Sequence, residues 1–137
     1  MSPRHPRLSE TELEVLKGLW ELGTATVREL NEHFERQGRR WAYTTMLTLL
    51  TRLEAKGCAE SESAGVAHVY RPTVSRDDLV SRQLTDLADD LCDGAASPLV
   101  KALVAGHRFS ADELAHFRRL LDEAGERPPP KGRRKKQ

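Results

Sequence analysis

The stretch Trp41 to Gly57, WAYTTMLTLLTRLEAKG, constrains this chain more than any other. At helical spacing it puts Met46, Leu49, Leu50 and Leu53 on one side, the i, i+3, i+4, i+7 stripe of a core-facing helix. Thr44, Thr45, Thr48, Thr51 and Arg52 fall on the opposite side. Solvated helix faces usually carry Glu, Lys and Gln. Four threonines there lower helix propensity, because β-branching restricts χ1. Short hydroxyl and methyl side chains followed by an arginine suit close approach to base edges and phosphates. A threonine face packed against another helix fits the same periodicity, which leaves both readings open.

The segments upstream give that helix its context. Ser9 with Glu12 three residues on forms a capping box, and Leu8 with Leu13 a hydrophobic staple. Leu13, Leu16, Leu19 and Trp20 then predict a first helix, stopped at Gly23. Thr24–Ala25–Thr26 can form one short extended segment. Thr26 and Glu29 make a second capping box, and Val27, Leu30 and Phe34 supply the buried stripe of a second helix ending near Gly38. Gly38–Arg39–Arg40 is a basic turn into the threonine helix. Helix, tight connection and polar-faced helix is the order of a helix-turn-helix unit, with Arg39 and Arg40 where phosphates would pass. Two solvated arginines in a turn is the plainer reading.

After Gly57 the period changes. Residues 58–63 and 67–71 predict two short strands around Ala64–Gly65, closed by Pro72. Three helices and a two-stranded β wing make a mainly α, winged helix-turn-helix fold. Helical spacing then returns. Ser75 caps a helix with Asp77 and Asp78 in its first turn, and Leu84, Leu87 and Leu91 lie along it. Leu99 and Leu103 belong to a short apolar helix ending at Gly106. Ser110 caps another, with Leu114, Phe117 and Leu121 on one face. These helices follow a domain already complete, so their apolar faces predict a helical dimerisation arm. A compact extension folded back on the winged helix is the alternative.

The expected organisation is a flexible N-terminal arm over residues 1–7, a DNA-binding domain over 8–73, a dimerisation domain over 74–125 and a disordered basic tail over 126–137. A formal net charge of +1 says little by itself, but its distribution does. Residues 1–72 balance, residues 73–127 carry seven Lys/Arg against eleven Asp/Glu, and residues 128–137 carry five Lys/Arg and no acid. A DNA-binding surface would therefore belong to the first half; the tail can add non-specific attraction to phosphate, and a solvated tail with no partner fits the same composition. No apolar run approaches the roughly 18 residues of a membrane span, and MSPRHPR has no apolar signal region, so a cytoplasmic protein with no membrane partner is expected. Cys58 and Cys92 have no metal-ligand spacing, and His33, His68, His107 and His116 form no cluster with Cys or carboxylates. Neither a metal, a cofactor nor an enzyme activity is expected. Modification of either cysteine would disturb wing or dimer packing.

The run Trp41–Gly57 resembles the recognition-helix signature of the penicillinase-repressor (BlaI/MecI/CopY) family. Glu12–Leu16 with Trp20, Thr26–Leu30, Ala67–Pro72 with Ser75–Arg76, and Phe109–Leu114 resemble that family too, so the likeness covers most of residues 8–122. The resemblance implies a homodimeric winged-helix transcriptional repressor on a palindromic double-stranded DNA operator. Thr44, Thr45 and Thr48 would then face bases in the major groove. Arg52, Trp41 and Tyr43 would lie at the helix margin or on the backbone, and His68 and Arg71 would approach phosphate or minor groove from the wing.

Two features depart from the family. Some members are inactivated by proteolysis at an Asn-Phe bond, whereas the single asparagine here is Asn31, in the second helix. Copper-responsive members carry cysteine pairs near the C-terminus, and this chain has none there. Release by a regulatory protease or by a ligand has no marker in the sequence. The rival function is a winged-helix protein–protein assembly module without specific DNA binding. Such modules usually lack the basic turn and the short-polar helix face that this chain has.

Overall fold

The computed structural model describes residues 7–126. The expected arm over 1–7 and tail over 126–137 therefore lie outside the described residues, apart from Arg7 and Glu126. The order is α1 (Glu10–Leu22), α2 (Val27–Arg36), α3 (Tyr43–Ala55), β1 (Ala59–Ala64), β2 (Ala67–Pro72), α4 (Arg76–Leu91), α5 (Ser97–Gly106) and α6 (Ala111–Glu126). The chain divides into two units, Met1–Gln83 and Leu84–Gln137. Among the described residues, no helix is long and apolar enough to cross a membrane.

In the first unit, α1, α2 and α3 pack around one core, and β1 and β2 pair as an antiparallel hairpin. This is the expected winged helix. Both capping boxes form: Ser9 Oγ accepts from Glu12 N–H while Glu12 accepts from Ser9 N–H, and Thr26 and Glu29 repeat the arrangement. Each satisfies two orphan backbone donors at a helix start. Gly23 ends α1 at φ 84°, a left-handed conformation that glycine adopts without steric penalty.

Val15, Leu16, Leu19, Leu30, Met46, Leu50 and Leu53 are fully buried, each removing about 1.5–3 kcal/mol worth of apolar surface from water. Gly18, inside α1, is buried for another reason. A Cβ there would stand 2.7 Å from Phe34 Cζ, so the missing side chain is what lets α1 and α2 approach.

The wing register places Glu60 opposite Arg71 and Ser63 opposite His68. Ala25 forms a β-bridge to Tyr70 through both backbone hydrogen bonds, 2.9 and 2.8 Å, so the predicted extended segment fastens the hairpin to the turn before α2. Trp20 Nε1–H donates to Val74 O at 2.8 Å, and Leu79 on the second turn of α4 is buried in the same core. Ser75 and Asp78 form a third box: Asp78 N–H donates to Ser75 Oγ and Ser75 N–H to the Asp78 carboxylate, both at 3.0 Å.

In the second unit α5 and α6 bury no residue. Ser110 caps α6 through a reciprocal pair with Glu113. Phe109 meets Phe117 edge-on with ring centroids 5.0 Å apart.

Candidate nucleic-acid interface

The buried stripe of α3 fixes the face it leaves outside. Met46, Leu49, Leu50 and Leu53 are buried, as their spacing requires, so Tyr43, Thr44, Thr45, Leu47, Thr48, Thr51 and Arg52 are exposed. The threonine face is thus not packed on another helix of its own unit. Two hydroxyls bond back to the helix: Thr48 Oγ1–H donates to Thr44 O and Thr51 Oγ1–H to Leu47 O, both at 2.9 Å. This local bonding occupies the hydroxyl protons. Thr48 and Thr51 therefore offer acceptor lone pairs and methyl groups, not free donors.

α3 begins at Tyr43, two residues after Trp41, whose side chain packs against the core. Its ring meets Phe34 edge-on with centroids 6.2 Å apart. Ala42 gives α3 no side-chain cap, and its first turn has no acid. The opening N–H groups and the helix dipole together suit an anion such as a phosphate.

The basic residues around α3 are not equivalent. Arg39 lies over the Trp41 ring, 4.2 Å from its centroid, and its Nε–H donates to Glu14 Oε2 at 3.1 Å. Its guanidinium is thereby held between α1 and the turn. Arg40 reaches Glu35 at 3.4 Å, a mostly solvated pair that is easily exchanged for a phosphate. Arg52 is exposed on the face itself. On the wing, Arg71 is ion-paired to Glu60 across the hairpin, and His68 is exposed nearer the tip. Arg39, Arg40, Trp41, Tyr43, Thr44, Thr45, Thr48 and Arg52 thus group along α3 and its entry turn, and His68 and Arg71 lie on β2.

Four neighbours of this surface carry no signal in the sequence. Leu47 is exposed within the threonine face, Val66 is fully exposed at the wing tip, and Glu14 and Glu60 each hold an arginine. Leu47 falls outside the Met46, Leu49, Leu50 and Leu53 stripe and is the one aliphatic residue among the threonines. The carboxylates lie 25 and 11 residues from their partners, beyond any local pattern.

Glu12 and Lys56 sit behind the surface. Lys56 Nζ donates to Glu12 Oε1 at 2.6 Å. Burial pushes the Glu12 carboxyl up, but the hydrogen bonds from Lys56 and Ser9 N–H outweigh it and hold the group below the usual carboxylate range. Cys58, at the foot of the wing, is buried, and burial raises its thiol above the ordinary cysteine value. It therefore stays protonated at neutral pH and is a poor nucleophile.

The expected dimerisation residues lie elsewhere. Leu84, Leu87 and Leu91 on α4 are exposed, as are Leu103, Leu114 and Leu121, while Leu99 and Phe117 are half-buried.

The family model described as penicillinase repressor matches residues 8–123. A transcriptional regulator BlaI of Mycobacterium tuberculosis is 35% identical over 129 residues, which cover 90% of this chain and 91% of that protein. A penicillinase repressor of Bacillus licheniformis is 24% identical over 118 residues, 86% of this chain and 91% of its own length. A solution structure of the Bacillus licheniformis BlaI monomeric form with the blaP half-operator aligns at 29% identity and a TM-score of 0.45, covering 55% of this chain and 90% of that one. With a match spanning residues 8–123 and a relative 35% identical across 90% of its length, this chain belongs to the penicillinase repressor family.

Proposed function

We propose that the chain is a homodimeric, sequence-specific transcriptional repressor that acts in the cytoplasm and binds a palindromic operator with α3 in the major groove. One observation carries this reading. The α3 face opposite the core is open and carries four threonines edged by Tyr43 and Leu47, with Arg40 at its entry and Arg52 on it. The family supports it, since relatives carry the names penicillinase repressor and transcriptional regulator.

In this reading Thr44, Thr45 and Thr48 meet base edges, and Arg39, Arg40 and Arg52 meet phosphates and supply salt-dependent affinity. Trp41 and Tyr43 lie at the helix margin, and His68 and Arg71 approach the backbone or minor groove. Residues 74–125 join two copies. The support is that α5 and α6 bury nothing and leave Val100, Leu103, Val104, Leu120 and Leu121 in solvent. Amphipathic helices of this kind are stabilised by covering that apolar surface. Two coupled copies would set the half-sites about one helical turn of DNA, roughly 34–36 Å, or a multiple of it, apart. Repression follows from occlusion of a promoter.

Selection of the purified protein against a random DNA library at moderate salt tests this. A palindrome with two short half-sites is expected. Weak binding that recovers no motif and disappears as salt rises would refute sequence-specific repression and favour the protein-assembly role.

A further inference from the structure

The α3 face carries one aliphatic side chain among its hydroxyls. Leu47 is 38% exposed, an isobutyl group between polar neighbours at Thr44, Thr48 and Thr51. It sits one turn from the exposed ring of Tyr43, so the two form an apolar edge to the threonine face. It is also not among the half-buried residues packed against the core.

The hydrogen bonding of this face points the same way. The Thr48 and Thr51 hydroxyl protons are bonded to the helix backbone, the latter to the carbonyl of Leu47 itself. The centre of α3 therefore presents methyl groups and acceptor oxygens, and Arg52 is its one cationic donor. With the Thr48 and Thr51 protons engaged, this part of the face has no hydroxyl donor for guanine, whose major-groove edge offers only acceptors, and a guanine contact falls to Arg52. The major groove offers one apolar feature, the C5-methyl of thymine.

We propose that Leu47 is a specificity-determining residue that selects thymine by packing on its C5-methyl in each half-site. The inference rests on the proposed docking of α3 in the major groove. Burying one methyl-sized group is worth about 0.8 kcal/mol, which is about fourfold in affinity.

The test uses the operator recovered from library selection and the full-length dimer. Each thymine is replaced in turn by uracil, which removes only the methyl group, and affinity is read by fluorescence anisotropy. At one thymine per half-site, wild type is expected to lose about fourfold per methyl removed. Leu47→Ala is expected to bind thymine and uracil equally there, while responding like wild type at every other position. 5-Methylcytosine in place of cytosine at that position should recover part of the wild-type affinity over unmodified cytosine. Thermal melting of Leu47→Ala should match wild type, because the side chain lies outside the core.

Specific operator binding without any thymine–uracil difference overturns the role of Leu47 and leaves the repressor reading standing. A difference that survives Leu47→Ala assigns the methyl to another residue and overturns it as well. Failure of the wild-type protein to select any motif overturns both readings.

Discussion

Glu12 Oε1 lies 2.6 Å from Lys56 Nζ, so a carboxylate that is 2% exposed on the first turn of α1 is tied to the residue that ends α3. The same carboxylate accepts from Ser9 N–H at 2.9 Å, and Lys56 also donates to Arg7 O at 2.7 Å. One group thus caps α1 and anchors the C-terminal end of α3, the helix proposed to bind DNA.

Glu12→Ala should lower stability by about 2–3 kcal/mol, less than the 3–5 for a fully buried pair because Lys56 is partly solvated. Urea titration should show a lower midpoint with an unchanged slope. A loss under about 0.5 kcal/mol would mean the pair is merely adjacent.

The carboxyl also sets a pH dependence. Its folded pKa lies below the unfolded value, so its stabilisation is complete above the usual glutamate range and is lost as pH falls through and below it. Wild type should therefore lose stability more steeply than Glu12→Gln between about pH 5 and 3. Parallel curves for the two proteins would assign the acid sensitivity to other carboxylates.

Gly18→Ala should destabilise by about 1–2 kcal/mol although alanine is the better helix former by about 1 kcal/mol. The new methyl would meet Phe34 and Leu30, both buried in the core. A raised melting temperature would show that the α1–α2 contact yields without strain.

On DNA, Arg40→Ala and Thr48→Ala should separate. Arg40→Ala is expected to weaken binding to all sequences and to reduce the salt slope by about one. Thr48→Ala should relax preference at its base pair by about 1 kcal/mol and leave the slope unchanged. Identical behaviour in a salt series would refute the division between phosphate and base contacts.

Leu87→Asp places a charge on the exposed apolar face of α4. Sedimentation should report a monomer, with full-operator affinity reduced about a hundredfold or more through loss of the second half-site. Tight full-operator binding by a monomer would sink the dimer model.

Much of this fold was legible locally. Ser9–Glu12 and Thr26–Glu29 announce two helix starts, because a capping box is complete within four residues. The α3 stripe and the Gly65 turn are equally local, and both hairpin strands lie within a residue of their expected bounds. Long-range pairing was not legible. Glu12 signals its cap but not Lys56, 44 residues away, and Glu14 gives no sign of Arg39. Gly18 reads as a weak point in a helix until Phe34 is seen against it. Trp41 reads as part of α3, yet the helix starts at Tyr43 and the Trp41 ring packs on Phe34. Ser75 signals a helix start, but Leu79 shows that this helix begins inside the first unit's core.

The bridge from Ala25 to Tyr70 divides the hairpin into a clamped base and a free end. Insertions at Gly65–Val66, where the turn is exposed and Val66 touches solvent all round, would lengthen the wing without altering how α2 starts. Insertions between Tyr70 and Val74 would instead pull on Ala25 and on the Trp20 bond to Val74 together. Evolution or engineering can therefore vary wing reach as an independent parameter, provided that every added residue enters at the tip.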